Sequence, residues 1–159
     1  MQSSTYLQAT RPLSAPSLTS SRGIAGGSSR AAFHGRIVVR QDSQKIKAFQ
    51  ENHNLLLSDS ARAETRPQLE IYADDVKASH GASTGQLDES ALFYMQQRGI
   101  DATAGRRMLV AAFMKDIIEQ ISDESTRETL LQTIDRVIQA KPRGENILIV
   151  IVGTHIRVL

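Results

Sequence analysis

A chain of 159 residues, 40% of them hydrophobic, can bury one core, but with 4% aromatic residues and no Trp that core must be mainly aliphatic and small. The formal net charge of +2 is uneven, because residues 1–41 hold five Arg and no acid and leave 14 basic against 17 acidic residues beyond, which argues against a clustered nucleic-acid-binding face. The absence of Cys excludes disulfides and any Cys-ligated zinc or iron–sulfur site within the chain, and no apolar run approaches the ~18 residues of a membrane-crossing helix.

Residues 1–20, MQSSTYLQATRPLSAPSLTS, mix Ser and Thr with two Pro and no acid. This composition predicts a disordered or ill-fitting arm. It also suits an organellar transit peptide, for which two Arg in the first 22 residues are a weak signal. Residues 21–87 show short apolar runs broken by polar corners. Gly35–Val39 reads as a strand with a β-branched centre, followed by Ala48-Phe49, Asn54–Ser58, Leu69–Tyr72 and Val76–Ser79. No amphipathic helix separates them, which rules against a βαβ sheet. A hairpin sandwich and a stacked β-solenoid both fit the spacing, and periodicity does not choose. Gly23-Ile-Ala-Gly26-Gly27 looks like a phosphate loop but lacks the following Lys-Ser/Thr, so it reads as turn glycines. Asn52 and Asn54 flank His53 and suit either an amide ladder or local turns, with His53 an exposed corner residue.

The stretch Leu69–Ile100, LEIYADDVKASHGASTGQLDESALFYMQQRGI, begins extended and ends helical. Its small, polar middle from Ala78 to Gly85 reads as a corner carrying His80. Helical spacing sets in at Asp88 through Leu92, Phe93 and Met95, and Gly99 stands where a helix would be capped. Asp101 is an N-cap for a second helix with the stripe Leu109, Ala112, Phe113, Ile117 and Ile121. Ser122, with Asp123 and Glu124, starts a third whose stripe is Leu130, Leu131, Ile134, Val137 and Ile138, ending near Lys141-Pro142. The helical region is thus 88–141, its last two helices an antiparallel pair. Residues 142–159 form a β-prone tail, an added strand or an aggregation-prone extension, since Ile147–Val152 carries no charge.

The Leu69–Ile100 stretch resembles the SufB/SufD family of the SUF iron–sulfur cluster assembly system, on its SufD branch. The ordered combinations are LEI, DDVKASHGA, LD and LFYMQQRGI, and the likeness continues upstream, covering about residues 21 to 121. Proteins of this family are much longer, so the chain resembles a C-terminal portion. The resemblance implies a mostly β fold with α: a partial right-handed parallel β-helix over 21–87, with Ile37, Val39, Leu55, Leu57, Leu69 and Ile71 inward, followed by the helical segment. A coil stack cut from its neighbours would expose edge strands free to pair.

It further implies a non-enzymatic scaffold subunit of the SufBCD complex in truncated form, cytoplasmic or, as the alternative, plastidial. The β-helix would bind a SufB-type subunit. The C-terminal helices, entered through Leu92, Phe93, Tyr94 and Arg98, would bind a SufC-type ATPase. His80, the histidine of the SHGA motif, would be one ligand of an iron–sulfur cluster shared with the partner, whose cysteine supplies thiolate; the chain alone binds no cofactor. Many relatives have Cys before SHG, where this sequence has Ala78.

A rival from another class is a stand-alone β-solenoid interaction module without an assembly role. An enzyme using His80 as base is the weakest reading: G-x-S-x-G, Walker A and H-E-x-x-H are all absent. Asp74 and Asp75, as adjacent strand residues, would face opposite sides, and read as solvated corner acids. None of the four His lies at i, i+4 from another, so no two-His helical metal face exists.

Overall fold

The computed structural model describes residues 4–5, 17–140 and 145–156. Six strands, β1 Ser4–Thr5, β2 Ser17–Gly26, β3 Arg30–Val39, β4 Ile46–Leu56, β5 Arg62–Ile71 and β6 Val76–Gln86, run alternately into two sheets. β1, β3 and β5 form one; β6, β4 and β2 lie side by side in the other. All these pairs are parallel, and each strand meets the one two places on, about thirty residues later, as in Ser17 with Ala48 and Ile46 with Val76. Three helices follow, α1 Glu89–Gln97, α2 Ala102–Ile118 and α3 Glu124–Ala140, and β7 Ile147–Ile156 returns to pair antiparallel with β2. The fold is mostly β with α, and neither sheet closes on itself.

The corners stack as the strands do. Gly27 turns with φ 63°, and its carbonyl accepts hydrogen bonds from the Ser58 and Ser60 hydroxyls one repeat later, at 2.6 and 2.7 Å. Lys45, at φ 60°, donates its N–H to the Asp75 carbonyl at 2.7 Å, while the Asp75 N–H donates to the Gln44 side chain. Asp74 and Asp75 are exposed in that corner, as expected of solvated acids.

Strands are longer than apolar runs alone predict. Ala78–Gly85 is no corner but the body of β6, and His53 lies mid-strand in β4. Residues of low β-propensity are held extended because each lies in register with a residue of β4 and alternate backbone groups bond to it. Gly23 and Gly26 likewise sit inside β2, and only Gly27 turns. The arm expected over residues 1–20 falls largely outside the described residues, but Ser17–Ser20 belong to β2.

Two apolar clusters form. Between the sheets, Ile37, Val39, Ile46, Ala48 and Ala73 pack together, with Leu69 and Val76 half-buried beside them. The second lies on the outer face of the β2–β4 sheet: Ile24, Leu55 and Ile147 are covered by Val110, Met114, Ile117 and Ile118 of α2 and by Ile134 and Ile138 of α3. Leu55 and its neighbour Leu57 therefore belong beneath the helices rather than between the sheets. Alternation requires it: Asn54 points inward to Thr65 and Asn52, so Leu55 points out. Ile71, in register with Val39, lies on the inward face as expected but is 45% exposed, because β5 is the edge of its sheet and no strand among the described residues stacks beyond it.

The space between the sheets is partly polar. Asn52 donates to the Ser21 hydroxyl at 3.1 Å and accepts from Asn54 at 2.7 Å and from Thr65 at 2.8 Å, a buried amide ladder crossing three strands. Glycine makes room for such side chains. A Cβ at Gly35 would overlap the buried Gln50 amide, and one at Gly23 the Asn54 amide oxygen.

Asp88 and Asp101 cap α1 and α2, each carboxylate accepting two backbone N–H bonds, and Asp123 rather than Ser122 caps α3 by accepting from Thr126. α1 ends in the glycine cap expected at Gly99, φ 84°, with Ile100 N–H reaching the Met95 carbonyl. Arg107 forms a two-pronged bond to Asp135 at 2.7 and 2.9 Å, which ties the start of α2 to the end of α3 and makes the pair antiparallel. The buried stripe of α2 is Val110, Met114, Ile117 and Ile118, so Ala112 is exposed and Leu109 half-buried. In α3 Leu131 faces solvent.

Candidate functional site

His80 stands midway along β6, the outermost strand of its sheet, paired in register with Gln50 of β4. Paired residues of parallel strands share a face, so His80 and Gln50 both lie on the side turned toward the β3–β5 sheet. Gln50 is 1% exposed, and neither end of its amide has a hydrogen-bond partner. His80 is exposed, as is every residue from Ser79 to Gln86. A Cβ built at Gly81 or Gly85 meets nothing within 4 Å. β6 is thus open around His80, its outer edge pairs with no strand among the described residues, and the imidazole is reachable by another molecule. No group of three metal-binding side chains occurs among the described residues, so His80 can contribute one nitrogen and no more to a metal or cluster.

His53 is placed differently. It sits between Arg22 and Ser83 in a row across β2, β4 and β6. Its Nδ1 lies 2.6 Å from the Ser83 hydroxyl and its Nε2 3.9 Å from the Glu51 carboxylate. Burial first, and then the Arg22 charge, hold its pKa below the ordinary value, with Glu51 opposing. Arg22 is itself held beneath α2, 5.8 Å from the centre of the Phe113 ring and 3.9 Å from Asp116. His53 is thus committed within the sheet, whereas His80 is not buried by it. The SHGA motif singles out His80, and the position of the two strands sets which imidazole is accessible.

The four residues expected on the helical surface divide. Leu92 is buried, packed against Gly105 of α2, where a Cβ would come within 2.8 Å of its Cδ1. Phe93 and Tyr94 are 62% and 58% exposed, and the Arg98 guanidinium stacks 4.7 Å over the Tyr94 ring. Leu92 anchors α1 to α2 while its neighbours face out. Met108 of α2 and Leu131 of α3 are also exposed; Met108 lies off the Val110–Met114–Ile117 stripe, which is the signal that could have found it. Between β6 and α1 an open cavity of about 210 Å³ is lined by Leu57, Asp59, Gln86, Leu87 and Glu89. Among the described residues no helix is long and apolar enough to cross a membrane.

Comparison with known proteins adds a family. Residues 5–113 match the model of the SUF system FeS cluster assembly SufBD core domain. The chain is 40% identical over 121 residues to the iron–sulfur cluster assembly protein SufD of Escherichia coli, covering 76% of this chain and 28% of that protein. It is 31% identical over 117 residues to SufD of Bacillus subtilis, covering 74% and 27%. A chloroplastic protein of Arabidopsis thaliana is 40% identical over 105 residues, covering 66% and 22%. The chain thus matches about a quarter of the length of these relatives.

Proposed function

The chain belongs to the SufBD core family of the SUF iron–sulfur cluster assembly system, and on that premise we propose that it is a non-enzymatic scaffold subunit of a SufBCD-type complex. The observation that carries the reading is the open β6 edge: a family-matched strand, paired with β4 on one side and with no strand among the described residues on the other, carries His80 exposed. The alternation of parallel strands between two sheets at a thirty-residue repeat supports coils of a right-handed parallel β-helix. A SufB-type subunit would pair along that β-helix at β6. His80 would then give one imidazole nitrogen to the nascent iron–sulfur cluster, the cargo of assembly, while thiolate comes from the partner, because this chain has no Cys.

The C-terminal helices would receive a SufC-type ATPase. Phe93, Tyr94 and Arg98 form an exposed aromatic–cation cluster of the composition that anchors interfaces, and Leu92 fixes it by locking α1 to α2. Hydrolysis in the partner would drive rearrangement, and this chain would transmit it. The site would be cytoplasmic, or plastidial as the likeness to a chloroplastic relative allows.

A second reading, a stand-alone β-solenoid interaction module, is favoured by β7, which covers the β2 edge from within the chain. Co-expression of the tagged chain with SufB- and SufC-type subunits separates the two. The scaffold reading expects both to be retained, and Phe93→Ala with Tyr94→Ala to release the ATPase alone. Retention of neither partner by the folded chain leaves the module.

A further inference from the structure

β7 lies where the repeat of the fold places no antiparallel strand. β2, β4 and β6 all run parallel at a constant step, so the next position outward from β2 belongs, by that repeat, to another parallel strand. β7 fills it in the opposite direction, in continuous register from Ser17–Ile156 to Gly26–Ile147. The family match ends at residue 113, well before it. β7 is firmly fixed at its start: Asn146 Oδ1 accepts from the Ser28 N–H at 2.8 Å and from the Ser28 hydroxyl at 3.0 Å, and Ile147 is buried under the helices.

At the opposite edge of the same sheet, β6 pairs with no further strand among the described residues. The two edges are complementary by construction. The outer side of β6 is where a strand one repeat later would add, and the outer side of β2 is where a strand one repeat earlier would add. A second copy moved by one stack height could therefore lay its β6 parallel to β2, and its β5 toward β1 in the other sheet.

We propose that β7 is an intramolecular edge cap, seated on β2 so that the open β6 edge of a second copy cannot add there. The partner excluded is another molecule of this chain. The contact it would make is head-to-tail and does not close, so assembly once begun would continue. This inference rests on strand order and register and is independent of the scaffold role.

The test unseats or locks the cap. Ile151→Pro with Gly153→Pro removes two β7 donors that face β2. The Leu57 N–H donates to the Ala25 carbonyl, which turns the odd-numbered residues of β2 toward β4 and the even-numbered ones, Arg22 and Ser20 opposite these two positions, toward β7. Sedimentation velocity of the variant is expected to show at least a rough doubling of weight-average mass over the monomeric parent. Gly81→Lys with Gly85→Lys, placed on β6 where a side chain meets nothing, is expected to return it to monomer. A folded monomer without the lysines, or assemblies the lysines leave unchanged, overturns the proposal. Should the proline variant unfold, the locked chain decides. In this Cys-free sequence, Ser20→Cys with Gly153→Cys joins paired positions of β2 and β7. In urea just below the unfolding midpoint the parent is expected to assemble and the oxidised variant to stay monomeric until reduced. Equal behaviour of the two overturns the cap.

Discussion

β4 and β6 pair residue for residue from Ile46–Val76 to Leu56–Gln86, yet one is largely enclosed and the other is the most exposed strand of the sheet. β4 is flanked by β2 and β6 and half covered by helices, so its Gln50, Asn52 and Asn54 are sealed in and its His53 is bonded to Ser83. β6 has a neighbour on one side, and its His80, Gly81 and Gly85 meet little. The same register therefore encloses one strand and leaves its neighbour open to solvent. Place in the stack, more than residue type, decides which histidine can act.

Substitutions at matched positions sharpen that contrast. The largest difference is expected between glycines. Gly35→Ala drives a methyl into the Gln50 amide and should cost about 2–3 kcal/mol in denaturant unfolding, whereas Gly81→Ala, with open space around it, should stay within about 0.5 kcal/mol. Equal costs would break the comparison. Next, Asn52→Ala strips partners from Ser21, Asn54 and Thr65 and should cost about 2 kcal/mol; its register partner on β6 is already Ala82. A near-neutral Asn52 variant would show the ladder to be dispensable.

Acid should register at His53. Its pKa is lowered in the folded chain from an ordinary 6.5, by burial first and Arg22 second, so the unfolded chain takes up a proton the folded one resists. The sign follows: the stability is fully present above the unfolded value and falls as pH drops below it toward the folded value. Thermal melts across that window should show a decline that His53→Gln flattens, and an unaltered slope would place its origin elsewhere. The smallest effect on stability belongs to Phe93→Ala and Tyr94→Ala, within about 0.5 kcal/mol because both rings face solvent; a larger loss would mean that they hold the fold rather than a partner.

Much of this was legible in the sequence. The caps at Asp88, Asp101 and Gly99 were readable because capping needs only local chemistry, and the apolar residues Ile37 and Val39 alternate as a buried strand must. What stayed hidden depends on neighbours distant in the chain. Ala78–Gly85 reads as a corner because nothing in it favours a strand until β4 lies alongside. Leu55 reads as inward until Asn54 is seen to take that side. Leu92 and Phe93 look alike in a stripe, and only the close approach at Gly105 shows which of them is buried. Of the candidate site, His80 was identifiable by its motif, but its accessibility comes from the strand order alone.

The central claim is that the exposed strand works while its enclosed partner holds the structure. It is tested most directly by measuring, on one His80→Ala variant, both the melting temperature of the chain and the cluster formed by the complex reconstituted with SufB- and SufC-type partners. The expected result is an unchanged melting temperature and a severalfold loss of cluster. An unchanged cluster yield, or a loss that merely follows unfolding, would contradict the account.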